Sequence, residues 1–320
     1  MPKLFVGYMT EVGQKDRYFL QKGDILDDSV WPFHVSLAPP MDGDGYTERL
    51  SEALRNIAAD TAPFRVVTGE PDLFGPQGDT PVRRIVRNEA IQGLHDRILG
   101  VLAARGAVDM TYAGEHYNPH STYRNQGIYS IGFAEGVGMK IGGFTVFEKA
   151  EKGDAWRVVD KIRLKGRQSY IFLNADSTVD GGELVHGNPD SEVVGRRQSA
   201  MDLVGRLAVE EKARIVIISS YRYDYDTFDA LAKALQQSGV SKDFYDRLYD
   251  WTPRSKNLLG REIDSWLVQN QESVLNYVVL DNAPGCNFLL QQLPYLISAS
   301  VDTGFTMEQY LRARKILGRN

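Results

Sequence analysis

The chain has 320 residues, 42% of them hydrophobic and 25% charged, with a formal net charge of −5. That length fits two domains of ordinary size, each with apolar material for its own core. The absence of a run of ~20 apolar residues excludes a membrane-crossing helix, the start "MPKLFVGYM" lacks a signal-peptide pattern, and Cys286, the single cysteine, excludes an internal disulfide.

In chain order, "KLFVGYM" predicts an opening strand, followed by a loop carrying Asp24, Asp27 and Asp28. "WPFHVSLAPP" reads as a short extended segment closed by its two prolines. Residues 45–60 place Leu50, Leu54 and Ile57 at helical spacing. "FRVVTGEPDLFG" and "VRRIVRN" predict two more strands, and "EAIQGLHDRILGVLAARG" an amphipathic helix stopping at Gly106. "YNPHSTYR" is short and extended. "FTVFEKA" and "WRVVDKIRLKG" predict strands joined at Gly153-Asp154.

The rhythm then changes. "YIFLNAD", "RIVIISS" and "NYVVLDNAPG" are apolar strands without alternation, separated by the helical stretches "RRQSAMDLVGRLAVEEKA", "TFDALAKALQQSG" and "GREIDSWLVQNQ". Such strands belong to a parallel sheet covered on both faces. The expected organisation is an α+β domain over residues 1–166 and a doubly wound α/β domain over 167–320.

Acidic balance argues against a protein that coats long nucleic acid, since that affinity comes from neutralising many phosphates. It leaves room for a short end or a nucleotide. The basic clusters at Arg83, Arg84 and Arg87 and from Lys161 to Arg167 read as solvated strand faces and a linker.

Two of the five histidines sit in matching contexts: His34-x-Ser36 in "PFHVSL" and His120-x-Thr122 in "NPHSTY". In a strand, residues i and i+2 point the same way, so each pair presents an imidazole beside a hydroxyl. If the two strands are neighbours, two imidazoles and two hydroxyls converge on one cleft. An imidazole titrates near pKa ~6.5, so one ring can take a proton from an attacking oxygen while the other gives one to the leaving oxygen. The hydroxyls can donate to the non-bridging phosphate oxygens where charge accumulates.

With these two motifs in the strand order above, the first domain resembles the two-histidine (2H) phosphoesterase superfamily, which includes 2′-5′ RNA ligase-like and cyclic phosphodiesterase proteins. The resemblance implies two similar α+β lobes around a cleft. It implies His34 and His120 as catalytic and Ser36 and Thr122 as phosphate-binding residues. The expected chemistry is metal-independent opening of a cyclic phosphodiester, or cleavage of a 2′-5′ linkage, in an RNA end or small nucleotide. His120 is expected as base and His34 as acid, although the sequence does not fix the order. Tyr8, Tyr117, Tyr123 and Arg124 are candidates for base or phosphate contacts. His116 reads as a loop residue, His95 as an exposed or satisfied helix residue, and His186 has no assigned role.

The second domain resembles the haloacid dehalogenase (HAD) domain of RNA-repair fusion proteins. Its first strand ends in Asn174-Ala175-Asp176, where the family has Asp-x-Asp. The second ends in Ser219-Ser220 and the third in Asp281-Asn282; Arg222 and the Arg261-Glu262-Ile263 helix recur in this domain type. The resemblance implies an aspartyl nucleophile and bound magnesium. Asn174 departs from that pattern: a carboxamide is a poor nucleophile and brings no charge to a cation. A degenerate site is therefore expected, with Asp176 and Asp281 remaining as a candidate weak magnesium site. Two alternatives stand beside this reading: a bifunctional RNA end-healing enzyme, with cyclic phosphodiesterase and HAD phosphatase activities, and a nucleotide-binding or sequestering protein. The expected setting is the cytoplasm, without a membrane.

Overall fold

The computed structural model describes residues 2–9, 20–26, 34–75, 77–108, 111, 113–122, 135–151, 154–175, 191–254, 258–299 and 304–318. Tyr123, Arg124, Asp176 and His186, singled out above, lie outside these residues, as do Asp27 and Asp28. The chain divides into two compact units, Met1–Gly166 and Arg167–Asn320. Among the described residues, no helix is long and apolar enough to cross a membrane.

In the first unit the elements are β1 (Lys3–Met9), β2 (Ile25–Leu26), β3 (His34–Gly43), α1 (Glu48–Ala59), β4 (Phe64–Phe74), β5 (Thr80–Ile85), α2 (Glu89–Ala103), β6 (Gly106–Val108), β7 (His120–Thr122), β8 (Gly138–Ile141), β9 (Gly143–Lys149) and β10 (Trp156–Arg163). They form two antiparallel sheets: six strands in the order β2-β10-β9-β1-β3-β6, and four in the order β7-β5-β4-β8. Both helices start where a side chain satisfies an orphan N–H: the Thr47 hydroxyl accepts from Leu50 N and the Asn88 amide oxygen from Ile91 N. Their apolar faces, Leu50, Leu54 and Ile57 on α1 and Ile91, Leu94 and Ile98 on α2, join Leu4, Val6, Val35 and Leu37 in one core.

The segment around the two prolines differs from the expectation. β3 does not close at Pro39-Pro40 but runs on to Gly43. The register against β1 shifts from Val6↔Ala38 to Leu4↔Met41, which bulges the prolines out of the ladder. Proline has no N–H to donate, so a bulge lets the strand continue past it.

The second unit comprises β11 (Gln168–Leu173), α3 (Ser191–Glu210), β12 (Arg214–Ile217), α4 (Phe228–Gln237), α5 (Lys242–Tyr245), β13 (Leu248–Trp251), α6 (Leu259–Asn270), β14 (Val274–Asp281), β15 (Leu296–Ser298) and α7 (Met307–Leu317). Its five strands are all parallel in the order β13-β12-β11-β14-β15. Successive residues of β11 feed opposite faces: Ile171 and Leu173 pack with α3 and α7, whereas Tyr170 and Phe172 pack with Ile263 and Trp266 of α6. This is a doubly wound sheet. Two strands, β13 and β15, and helices α5 and α7 add to the three strands and three helices expected.

Candidate functional site

β3 alternates as its sequence requires. Val35 and Leu37 are buried in the core, and His34 and Ser36 share the other face. Met9 and Gly7 of β1 stand opposite them in register. β7 pairs with β5, placing Arg84 opposite His120 and Val82 opposite Thr122. Two side-chain hydroxyls tie the β3 backbone to β7 and the segment before it: Ser121 donates to the His34 carbonyl at 2.6 Å, and Tyr117 to the Ser36 carbonyl at 2.8 Å.

A cavity of about 580 Å³ opens where they meet, in the size range of small-ligand sites. Ser36, His120 and Thr122 line it together with Phe74, His116 and Tyr117. His34 does not line this cavity; its ring meets the Phe5 ring edge-on, with centroids 5.3 Å apart. His120 has a matching partner, Phe74, at 4.7 Å. Edge-to-face packing of this kind restricts how an imidazole can turn. The sequence motif did not reveal either phenylalanine, because each contact joins residues of different strands. Gly7 makes room for one of them: a Cβ there would lie 3.0 Å from two atoms of the Phe5 ring.

Hydrogen bonding sets the form of His120. Its Nδ1 lies 2.8 Å from the carbonyl of Asn118, which can only accept, so Nδ1 carries the proton and Nε2 the lone pair. Burial holds the imidazole pKa below the usual histidine value, against a weaker opposing effect of that carbonyl. A neutral ring with one free lone pair is the form a general base needs.

Tyr8 and Tyr117 are placed differently from one another. Tyr8 stands opposite Val35, packs against the core and donates to the Lys140 carbonyl at 2.9 Å; it does not line the cavity. Tyr117 lines the cavity, but its hydroxyl is held by Ser36 and its ring stacks on His95. The basic strand is also engaged in structure. Arg84 pairs with Asp72 at 2.5 Å, Arg83 donates to Gly69 O, and Arg87 donates to Glu115 O.

In the second unit, Asn174, Ser219, Thr252 and Asp281 stand at the carboxyl ends of four adjacent strands, flanking the switch point of the sheet. Asn174 Nδ2 donates to Asp281 Oδ2 at 3.1 Å, and Ala283 N donates to Asp281 Oδ1 at 2.7 Å. Asn174 Oδ1, Ser219 Oγ and Thr252 Oγ1 are buried with no hydrogen-bond partner among the described residues. Thr252 was not singled out from sequence; its signal is a hydroxyl residue directly after the short strand "LYDW". Ser220 is exposed and begins a 3₁₀ turn. Arg222 is buried and pairs with buried Glu262 of α6, while donating to Ser219 O at 2.7 Å. Arg261 is exposed in the first turn of α6.

Magnesium prefers several hard, mostly anionic oxygens in octahedral array. Of the expected Asp176–Asp281 site only Asp281 lies among the described residues; its neighbour Asn174 is uncharged, and the Asp281 carboxylate accepts from an amide on one oxygen and a backbone N–H on the other, which suits magnesium poorly. Among the described residues no group of three or more His, Cys, Asp or Glu side chains is placed to hold a metal.

The model of the 2′-5′ RNA ligase superfamily matches residues 17–127. The model of the HAD domain in Swiss Army Knife RNA repair proteins matches residues 171–310. The first match falls within the first compact unit and the second within the second unit. Among solved structures, TT0787 of Thermus thermophilus aligns at 17% identity and TM-score 0.34, covering 51% of this chain and 98% of its own. E. coli LigT complexed with 3′-AMP aligns at 11% identity and TM-score 0.33, over 51% of this chain and 99% of its own. Kluyveromyces marxianus Usb1 aligns at 10% and 0.29, over 51% and 96%. No curated protein matches the chain. The paired histidine strands lie within the first matched region and the Asn174 edge within the second.

Proposed function

We propose that the first unit is a metal-independent phosphodiesterase that opens a cyclic phosphodiester, or cleaves a 2′-5′ linkage, in an RNA end or small nucleotide. The observation that carries this reading is the joining of Ser36, His120 and Thr122 on one cavity, with the β3 backbone held by the side chains of Ser121 and Tyr117. In ring opening, His120 Nε2 takes a proton from the attacking water as its oxygen bonds to phosphorus. The phosphorus–ribose oxygen bond breaks, and His34, which shares the Ser36 face of β3 beside the cavity lining, supplies a proton to a departing oxygen that points towards it. The Ser36 and Thr122 hydroxyls donate to the non-bridging oxygens, whose charge grows in the transition state.

The HAD unit, in this reading, does not form a phosphoenzyme, because Asn174 offers an amide where a carboxylate must attack. The setting we propose is the cytoplasm, with an RNA end or nucleotide as the partner molecule. The test is turnover of 2′,3′-cyclic nucleotides and 2′-5′ oligonucleotides in EDTA, with products identified by mass spectrometry. We expect a single hydrolysed ester, no release of inorganic phosphate, and loss of about 10²–10⁴-fold in rate on changing either histidine to alanine. Full activity in both alanine variants, or dependence on magnesium, sinks the proposal.

A further inference from the structure

His95 was unremarkable in the sequence, one histidine in the middle of an amphipathic helix. In the structure it is fully buried, with 0% of its surface exposed, and both ring nitrogens are used. Nδ1 lies 2.8 Å from the carbonyl of Leu37, the residue after Ser36 in β3. Gly114 N donates to Nε2 at 2.9 Å, from the turn that precedes β7. A carbonyl only accepts and an amide N–H only donates, so the ring is neutral with its proton on Nδ1. Its face carries the Tyr117 ring, 3.8 Å away between centroids and tilted by 2°. The Tyr117 hydroxyl, in turn, donates to Ser36 O at 2.8 Å.

One helix side chain thus touches both catalytic strands' supports: β3 through Leu37, and the approach to β7 through Gly114 and Tyr117. We propose that His95 and Tyr117 form a positioning pair that sets the spacing of His34-x-Ser36 against His120-x-Thr122. The inference rests on the diesterase reading above for its effect on rate, and on the hydrogen bonds alone for its effect on geometry. Neither residue exchanges a proton with substrate. His95 fixes where the Ser36–Leu37 backbone sits relative to Gly114. Tyr117, three residues before His120, transmits that position to Ser36 itself. A displacement of about 1 Å in such a constellation costs on the order of 10²-fold in rate.

The experiment uses the full chain in four forms: unaltered, His95→Phe, His95→Gln and Tyr117→Phe. His95→Phe keeps a ring against Tyr117 and removes both hydrogen bonds. His95→Gln places an oxygen where Gly114 N–H can still donate. Tyr117→Phe removes one oxygen only. Steady-state kinetics on a 2′,3′-cyclic nucleotide should show kcat lowered about 30-fold or more in His95→Phe and about 10-fold in Tyr117→Phe, with KM within about threefold. His95→Gln should recover to within about fivefold of the unaltered protein.

Imidazole ¹⁵N and ¹H spectra of His34 and His120 through a pH titration give a readout independent of turnover, and these resonances should move in Tyr117→Phe. Folded His95→Phe and Tyr117→Phe proteins with kcat within twofold and unmoved histidine spectra overturn the inference. Should His95→Phe fail to fold, Tyr117→Phe decides the matter by the same criteria. Should the unaltered protein turn over none of the diesters, the diesterase reading fails while the spectra still decide the positioning role: unmoved resonances overturn it, and moved ones support it.

Discussion

A buried imidazole that is neutral at rest leaves a signature in the acid range. Burial holds the pKa of His95 down, outweighing the Leu37 carbonyl and the Asp96 carboxylate, which favour protonation; Arg87 works in the same direction as burial. Above pH ~6.5 the ring is neutral folded or unfolded, and contributes nothing to the pH dependence of stability. Below it, the unfolded chain takes up a proton that the folded site resists, so stability falls as pH falls. Denaturant titrations between pH 7 and pH 5 should show this decline, and a smaller one in His95→Gln; equal slopes in the two proteins remove the explanation. Another buried residue pair sets a stability expectation. Glu262→Ala leaves the Arg222 guanidinium, 3% exposed, without its carboxylate. Breaking a buried ion pair from one side typically costs ~3–5 kcal/mol, which urea unfolding of the variant can measure. At position 174, Asn174→Asp would replace an amide donor by a second negative charge beside Asp281. We expect that variant to gain stabilisation by magnesium in a thermal melt, and release of phosphate from a monoester would mark the edge as a disabled phosphatase site.

At the scale of elements, the legible parts were those whose pattern is local. The His-x-Ser and His-x-Thr pairs could be read because a strand has a period of two, and β3 honours it. α1 and α2 could be read because their apolar spacing and their caps are written within a few residues. β6, β8, β13 and β15 were not legible: they have three or four residues each, and exist because a neighbouring strand offers them a ladder. β3 was read as ending too early, because the bulge that carries Pro39-Pro40 depends on β1. Phe5, Phe74, His95 and Thr252 escaped for the same reason, since each acquires its neighbours only when distant segments meet. Element packing gives its own test. Gly205 of α3 approaches α5 so closely that a Cβ would lie 2.8 Å from Phe244 N, a backbone atom that cannot swing aside. Gly205→Ala should therefore destabilise the HAD unit by ~1–3 kcal/mol, measurable in denaturant.

For the whole molecule, the division into two units with separate cores predicts separable damage. Gly205→Ala should lower the temperature at which the second unit melts, while diesterase activity measured below that temperature stays at the unaltered level. A parallel fall in activity under those conditions would contradict the assignment of the chemistry to the first unit. The doubly wound sheet also explains why the HAD unit was recognisable despite its altered first residue. Strand order, Ser219 and Asp281 are fixed by β12, β11 and β14, and replacing one side chain at the end of β11 disturbs none of those pairings. The bond from Asn174 to Asp281 carries a consequence for ionic surroundings. A domain that binds a cation only when folded gains stability with each rise in that cation's concentration. Here an amide hydrogen already meets the carboxylate, so we expect the second unit's folding equilibrium to respond little to divalent supply, and a melting temperature that climbs with magnesium would contradict it. Its integrity would then be as great in a magnesium-starved cell as in a replete one.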